Sequence, residues 1–210
     1  MVKITYFGHS CFQLILDYQV IVIDPYKDNS VPGLKIKNKI PTNFYHSSHS
    51  HNDHNATEKV QLFHDESEEI KHELISLYHD KNHGKDRGLS VAHIFYTSDY
   101  SICHLGDAGD VNDILQKEKL KNIDIILAPI NGFYTISAEE VVKLKKEMNW
   151  KIVIPMHYEI KQEGIGYPDG GQIDIFKELL PNYLEIDSSS VDINEDLFKY
   201  DALIFKGREQ

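Results

Sequence analysis

Cysteine is scarce: Cys11 and Cys103 are the only two in 210 residues. Two thiols cannot make a disulfide framework, so a small bridge-stapled secreted scaffold is excluded and a reducing compartment is expected. Both sit in apolar strand-like runs, where a buried thiol behaves as a small hydrophobe. Positive charge is also short, with 22 Lys and Arg against 33 Asp and Glu and a formal net charge of -11. An acidic field disfavours nucleic acid and anionic membranes as partners, though not a small anion held in a local basic pocket. No apolar run reaches the length of a membrane span. Residues Met1 to Phe12 alternate like a strand and lack the apolar centre of a signal peptide. A cytoplasmic location without a membrane partner is the expectation. Internal repeats, low-complexity tracts and linkers are missing too, so residues 1–210 are expected to form one domain large enough to bury a core.

What the chain does have is histidine, 12 in all, and four of them fall in the stretch Tyr45-His46-Ser47-Ser48-His49-Ser50-His51-Asn52-Asp53-His54. His49 and His51 are two positions apart, so in an extended segment their rings leave one face of the backbone. Asp53 and His54 are adjacent and point differently, which suits a second ligand cluster beside the first. Imidazoles gathered in one place repel each other once protonated, and histidine titrates near neutrality. A divalent metal removes that conflict, because neutral imidazole and carboxylate are ligands for Zn, Mn or Fe. The alternative is a polar, histidine-rich surface loop, and the spacing argues against it.

Hydrophobic periodicity predicts strands at Lys3–Phe7, Phe12–Leu16, Val20–Ile23, Glu73–Tyr78, Leu89–Thr97 and Ser101–His104. A loop rich in Lys, Asn, Pro and Gly separates the third of these from Pro41. The second half changes period. Ser137 followed three residues on by Glu140 is a capping box, and behind it Val141, Leu144 and Met148 share a helix face. Strand-like runs at Ile123–Ala128 and Ile152–Pro155 flank that helix as a β-α-β unit, and Gln172–Leu180 reads as another helix. Two sheets with helices outside fit this pattern, as do other mixed folds.

Further ligand-capable residues close apolar runs: Asp24 after Val20–Ile23, His79 after Leu74–Tyr78, Asp107 after Ile102–Leu105, and His157 after Ile152–Met156. Chemistry at strand ends is the layout of a site built where loops meet a sheet rim. Any one of these alone reads equally well as a turn residue. Together with the central cluster they make a plausible complete ligand set. His46, His64, His72 and His93 carry no motif and read as ordinary surface or strand histidines.

At this point the chain resembles a known family. His49-x-His51-x-Asp53-His54 resembles the signature of the metallo-β-lactamase superfamily. Tyr6-Phe7-Gly8-His9-Ser10, Val22-Ile23-Asp24-Pro25, His104-Leu105-Gly106-Asp107, Ile154-Pro155-Met156-His157-Tyr158 and the loop Pro129–Ile136 resemble one branch of it. That branch holds small single-domain hydrolases related to the ascorbate-6-phosphate lactonases. The likeness runs from about Ile4 to Tyr158. The implied fold is an α/β (α+β) four-layer αββα sandwich with metals in a groove along one edge of the two sheets.

Carried over residue by residue, the resemblance implies that His49, His51 and His79 hold a first metal and that Asp53, His54 and His157 hold a second. Asp107 would bridge the two. Two divalent ions, zinc above all and otherwise manganese or iron, suit this nitrogen-and-oxygen set. Asp53 would also orient the attacking hydroxide and accept its proton, and Asp24 would fix a ligand ring through its other nitrogen. His83, four residues beyond His79, is a rival ligand in a polar loop, whereas His79 directly ends a strand. His9 and His104 are assigned to the pocket or to hydrogen bonds behind the ligands. Tyr134 and Tyr158 are candidate phenol donors, each equally explained as a half-buried aromatic. Lys85 or Arg87 could meet an anionic substrate group, solvated loop charge being the plainer reading.

The expected function is a binuclear metal hydrolase acting on a small ester, lactone or phosphodiester. One alternative is redox chemistry at iron, as in flavo-diiron or persulfide dioxygenase relatives. The flavo-diiron type would have a carboxylate where this chain has His51, and a flavin domain besides. The other alternative is a metal-dependent binding or sensor protein. A small-molecule partner is expected, and homo-oligomerisation is left open.

Overall fold

A computed structural model describes residues 1–63, 70–168 and 173–209. The first half of the chain is made of strands: β1 (Val2–Gly8), β2 (Cys11–Leu16), β3 (Gln19–Ile23), β4 (Ile40–Thr42), β5 (Phe44–His46), β6 (Val60–Leu62), β7 (His72–Tyr78), β8 (Leu89–Tyr96) and β9 (Ser101–His104). The second half mixes types: α1 (Val111–Leu115), β10 (Ile125–Pro129), α2 (Ala138–Glu147), β11 (Ile152–Met156), α3 (Ile173–Leu179), β12 (Tyr183–Ile186), β13 (Ser190–Ile193) and β14 (Ala202–Phe205).

Two large sheets result. One has the order β13-β1-β2-β3-β5 and the other β12-β14-β11-β10-β9-β8-β7, with β4 and β6 as a small separate pair. Alternation decides how they pack. Ile4, Tyr6, Phe12, Leu14, Ile21 and Ile23 of the first sheet meet Phe95, Ile102, Ile125, Leu127 and Ile154 of the second in one apolar layer. The other face of the second sheet, with Ile94, Cys103, Ile126 and Val153, is covered by helical residues Ile114, Val141, Leu144 and Phe176. Strands β9, β10 and β11 are buried on both faces and pair in parallel, which is why they read as continuous apolar runs.

The fold is the expected mixed α/β two-sheet sandwich. Its outer layers differ from each other. Among the described residues, the first sheet's outer face is packed by Tyr26, Val31, Leu34 and Ile36 from the loop after β3 and by Ile40 and Val60 of the β4–β6 pair. That loop contains Pro32 and Gly33 and alternates Lys with apolar residues, so it offers no helical face.

Ser137 caps α2 as the sequence predicts: its hydroxyl accepts the Glu140 amide and Glu140 accepts the Ser137 amide at 2.8 Å. The helix expected at Gln172–Leu180 is α3, with Gln172 outside the described residues, as is His64. Sequence periodicity did not reveal β12, β13 or β14. Each is four residues long and is fixed by partners far away in the chain, β13 by β1 and β14 by β11. Among the described residues, no helix is long and apolar enough to cross a membrane.

Candidate functional site

Every sheet strand that feeds the site ends at the same rim. His9 follows β1, Asp24 follows β3, the histidine-rich turn follows β5, His79 follows β7, Asp107 follows β9, and His157 follows β11. The backbone is forced to deliver them. His9, Asp24 and His157 have φ of 54°, 51° and 57°. A left-handed conformation costs a non-glycine residue roughly 1–2 kcal/mol, so it persists only where the surroundings impose it. The His157 amide donates to the His9 carbonyl at 3.1 Å, locking two of these residues together. Gly109 is required by close approach: a Cβ there would lie 2.4 Å from the backbone carbon of His79.

The histidine-rich stretch is a turn rather than the extended segment its spacing suggested. The His54 amide donates to the His51 carbonyl at 3.0 Å, and the Ser47 hydroxyl lies within hydrogen-bond distance of the His49 and His54 carbonyls. Even so, the rings of His49 and His51 converge, with His49 Nε2 2.9 Å from His51 Nδ1.

Two adjacent groups of ligand atoms form. His49, His51 and His79 make one; His9, Asp53, His54 and His157 make another; in each, the atoms lie within 4.8 Å of one another. Asp107 stands between them. Its Oδ2 is 3.2 Å from His54 Nε2, 3.3 Å from His157 Nε2, 3.4 Å from His79 Nε2 and 4.0 Å from His49 Nε2. Its backbone amide donates to Ser90 Oγ at 2.9 Å, which fixes the turn that aims it.

Asp24 organises the cluster from behind. It is fully buried; its Oδ1 accepts the Ser48 amide at 2.6 Å, and its Oδ2 accepts the Ser48 hydroxyl at 2.7 Å and lies 2.8 Å from His54 Nδ1. Burial pushes this carboxyl upward, but the His54 imidazole, His104 and the Ser48 amide outweigh burial and hold it at about 2. With His54 Nδ1 engaged, Nε2 is left to face the cluster.

The electrostatics fit a cation. Burial lowers His9 to about 3 and His49 to about 4, so both rings are neutral near pH 7. His54 differs: burial lowers it, yet Asp107 and Asp24 raise it well above the usual range. Asp107 is buried and Asp53 half-buried; burial pushes both carboxyls up, but the surrounding imidazoles hold them far below the usual carboxylate range. His54 Nε2, His9 Nε2 and Asp107 Oδ1 are buried without hydrogen-bond partners. Leaving such atoms unsatisfied costs about 1–3 kcal/mol each, and a bound cation relieves it.

Placement separates the remaining candidates. His79 joins the first group, whereas His83 is an exposed ring 4.0 Å from Asp110 and packed on Tyr78. Both nitrogens of His104 are engaged, with the Ser10 carbonyl at 2.9 Å and the Gly106 amide at 3.1 Å. Tyr158 is buried and does not line the cleft. Lys85 is exposed and does not line the cleft. The cleft itself has a volume of about 250 Å³ and exposes His51, Asp53, His79, Asp107 and His157 on its floor. Its walls are Arg87, Tyr134 and Tyr167.

Tyr167 was not anticipated. Its hydroxyl lies 2.8 Å from Asp53 Oδ2 and 2.9 Å from the Ser30 carbonyl. No local pattern marks it, because its partner is 114 residues away. Asp80 was likewise missed. Its two oxygens accept the amides of Asn82, Gly84, Asp86 and Arg87 at 2.8–3.1 Å, shaping the loop that presents Arg87.

A two-sheet sandwich carrying a buried nitrogen-and-oxygen ligand cluster at one rim defines the metallo-β-lactamase class of fold. The model described as "Beta-lactamase superfamily domain" matches residues 3–157, and the chain belongs to that superfamily. It is 29% identical over 196 residues to a UPF0173 metal-dependent hydrolase of Staphylothermus marinus, covering 75% of this chain and 84% of that protein. A UPF0173 metal-dependent hydrolase of Natranaerobius thermophilus is 26% identical over 186 residues, covering 74% and 83%. Among solved structures, one from Thermotoga maritima described as of the metallo-β-lactamase superfamily superposes with a TM-score of 0.76. It is 24% identical and covers 99% of this chain and 100% of its own.

Proposed function

We propose that the protein is a metal-dependent hydrolase with a binuclear centre at the sheet rim, acting on a small ester, lactone or phosphodiester. The observation that carries this reading is the position of Asp107: one carboxylate oxygen lies 3.2–3.4 Å from nitrogens of His54, His79 and His157, which belong to both ligand groups. The relatives named metal-dependent hydrolases support it.

In this reading His49, His51 and His79 hold one divalent ion, and Asp53, His54 and His157 hold the other. Asp107 is shared. Zinc fits the nitrogen-and-oxygen donor set best, with manganese or iron as alternatives. When bound, such a pair supplies a water acidified to a pKa of about 7 and polarises the scissile carbonyl or phosphoryl oxygen.

The chain's own residues do the rest. Asp53 lines the cleft, where its carboxylate is placed to orient the attacking water and accept its proton. Tyr167 holds that carboxylate in place through the 2.8 Å contact. The Arg87 guanidinium lies 5.2 Å from the Tyr134 ring centroid and 5.8 Å from that of Phe133, oriented by cation–π attraction. It faces the cleft as a fork for an anionic substrate group, such as a carboxylate or phosphate.

The test is a panel of esters, lactones and phosphodiesters run on wild type, Asp53→Ala and Asp107→Ala, with metal content measured on each. Asp53→Ala is expected to abolish turnover of any substrate found. Asp107→Ala is expected to lower metal content and activity together. Undiminished turnover in Asp53→Ala would reject the site.

A further inference from the structure

Three histidines outside the rim cluster converge elsewhere in the sandwich. His46 ends β5, His72 opens β7, and His93 lies within β8. Strand β5 is the last of the five-stranded sheet and β7 the last of the seven-stranded sheet, so the group joins an edge of each. In the β7–β8 register His72 stands opposite Phe95 and His93 opposite Leu74. His72 and His93 are therefore diagonal neighbours on one face, the face that Phe95 turns into the core between the sheets. His46 meets them there from the other sheet.

One ring nitrogen of each histidine lies within 4.8 Å of the other two. His72 Nε2 and His93 Nδ1 are 3.1 Å apart, and two nitrogens bound tetrahedrally to zinc at the usual bond length stand about 3.3 Å apart. His93 is only 3% exposed, and its Nε2 has no hydrogen-bond partner. The His72 ring is stacked on Phe95, with centroids 4.3 Å apart and planes 13° from parallel, so it is presented rather than free to swing. His46 and His72 are half-buried, which leaves the group reachable from solvent.

Three imidazoles from three strands, gathered where two sheet edges meet, are an effective way to hold an ion. The three described donors are imidazoles, which suit zinc, copper or nickel rather than magnesium or calcium.

We propose that His46, His72 and His93 form a separate zinc site that clasps β5 to the β7–β8 hairpin. Because His46 lies three residues before His49, an ion here anchors the strand that leads into the rim turn. The proposal stands independently of the hydrolase reading.

The test uses the full chain stripped of metal by chelation, reloaded with zinc, desalted and analysed for bound metal. Wild type is expected to keep one zinc more than His72→Gln, while His72→Gln keeps the hydrolytic activity of wild type. Asp107→Ala is expected to lose rim metal and still keep the zinc that His72→Gln lacks. Zinc should also raise the melting temperature of Asp107→Ala more than that of Asp107→Ala/His72→Gln. Equal zinc content in wild type and His72→Gln, or equal zinc-induced shifts in the last pair, would overturn the proposal. Failure of the rim reading shows separately, as Asp107→Ala with wild-type metal content. His72 is half-buried on an edge strand, so its substitution spares the core that His93→Gln would disturb.

Discussion

The Tyr167 hydroxyl lies 2.8 Å from Oδ2 of Asp53, the proposed proton acceptor. Burial and the Asp53 charge push the Tyr167 phenol well up, so it stays protonated and can donate. Removing the donor by Tyr167→Phe is expected to lower kcat on the order of tenfold, the worth of one hydrogen bond to a charged group. Steady-state kinetics with an unchanged kcat would leave Tyr167 with a packing role only.

Asp24 touches His54 and Ser48 and does not line the cleft. Asp24→Asn keeps the shape but no longer holds the His54 tautomer that leaves Nε2 facing the cluster. Loss of such a partner typically weakens metal binding 10–100-fold, and a drop of roughly that size is expected here. Competition with a coloured chelator measures it, and wild-type affinity would contradict the role.

The Asp80 loop gives a pH prediction. Burial pushes the Asp80 carboxyl up, but four backbone amides favour its ionised form more strongly and bring it below the usual carboxylate range. A depressed carboxyl contributes stability that is present above its unfolded pKa of about 3.9 and is lost as pH falls through the lower folded value. The amides of Asn82, Gly84, Asp86 and Arg87 should therefore lose exchange protection on acidification below about pH 4. In Asp80→Asn they should be weakly protected already at neutral pH. Hydrogen exchange resolved by residue reads both effects.

Arg87 is expected to act through binding. Arg87→Ala should raise KM for substrates carrying a carboxylate or phosphate by about tenfold or more and leave neutral esters nearly unchanged, since one charge-assisted contact is worth about 1.5–3 kcal/mol. Equal effects on charged and neutral substrates would mean that the guanidinium only props Tyr134 and Phe133.

Much of this protein was legible in its residues because the signals are local. The two-residue alternation of β1 to β3 and the double-sided burial of β9 to β11 leave marks within a few positions. The Ser137–Glu140 box and the ligand spacing from His49 to His54 are equally local, and strand-end placement singled out His79, Asp107 and His157. The C-terminal strands were not legible, since runs of only four residues become strands when an edge elsewhere in the fold accepts them.

By itself the sequence determined which residues could bind metal and which runs could be strands, because both depend on side-chain chemistry and short-range period. Only the tertiary structure decided that Tyr167 reaches Asp53 and that Asp107 lies within reach of both ligand groups. It also turned three unremarked histidines, His46, His72 and His93, into neighbours. Those relationships are set by how two twisted sheets stack and where their edges meet, a geometry that no window along the chain contains.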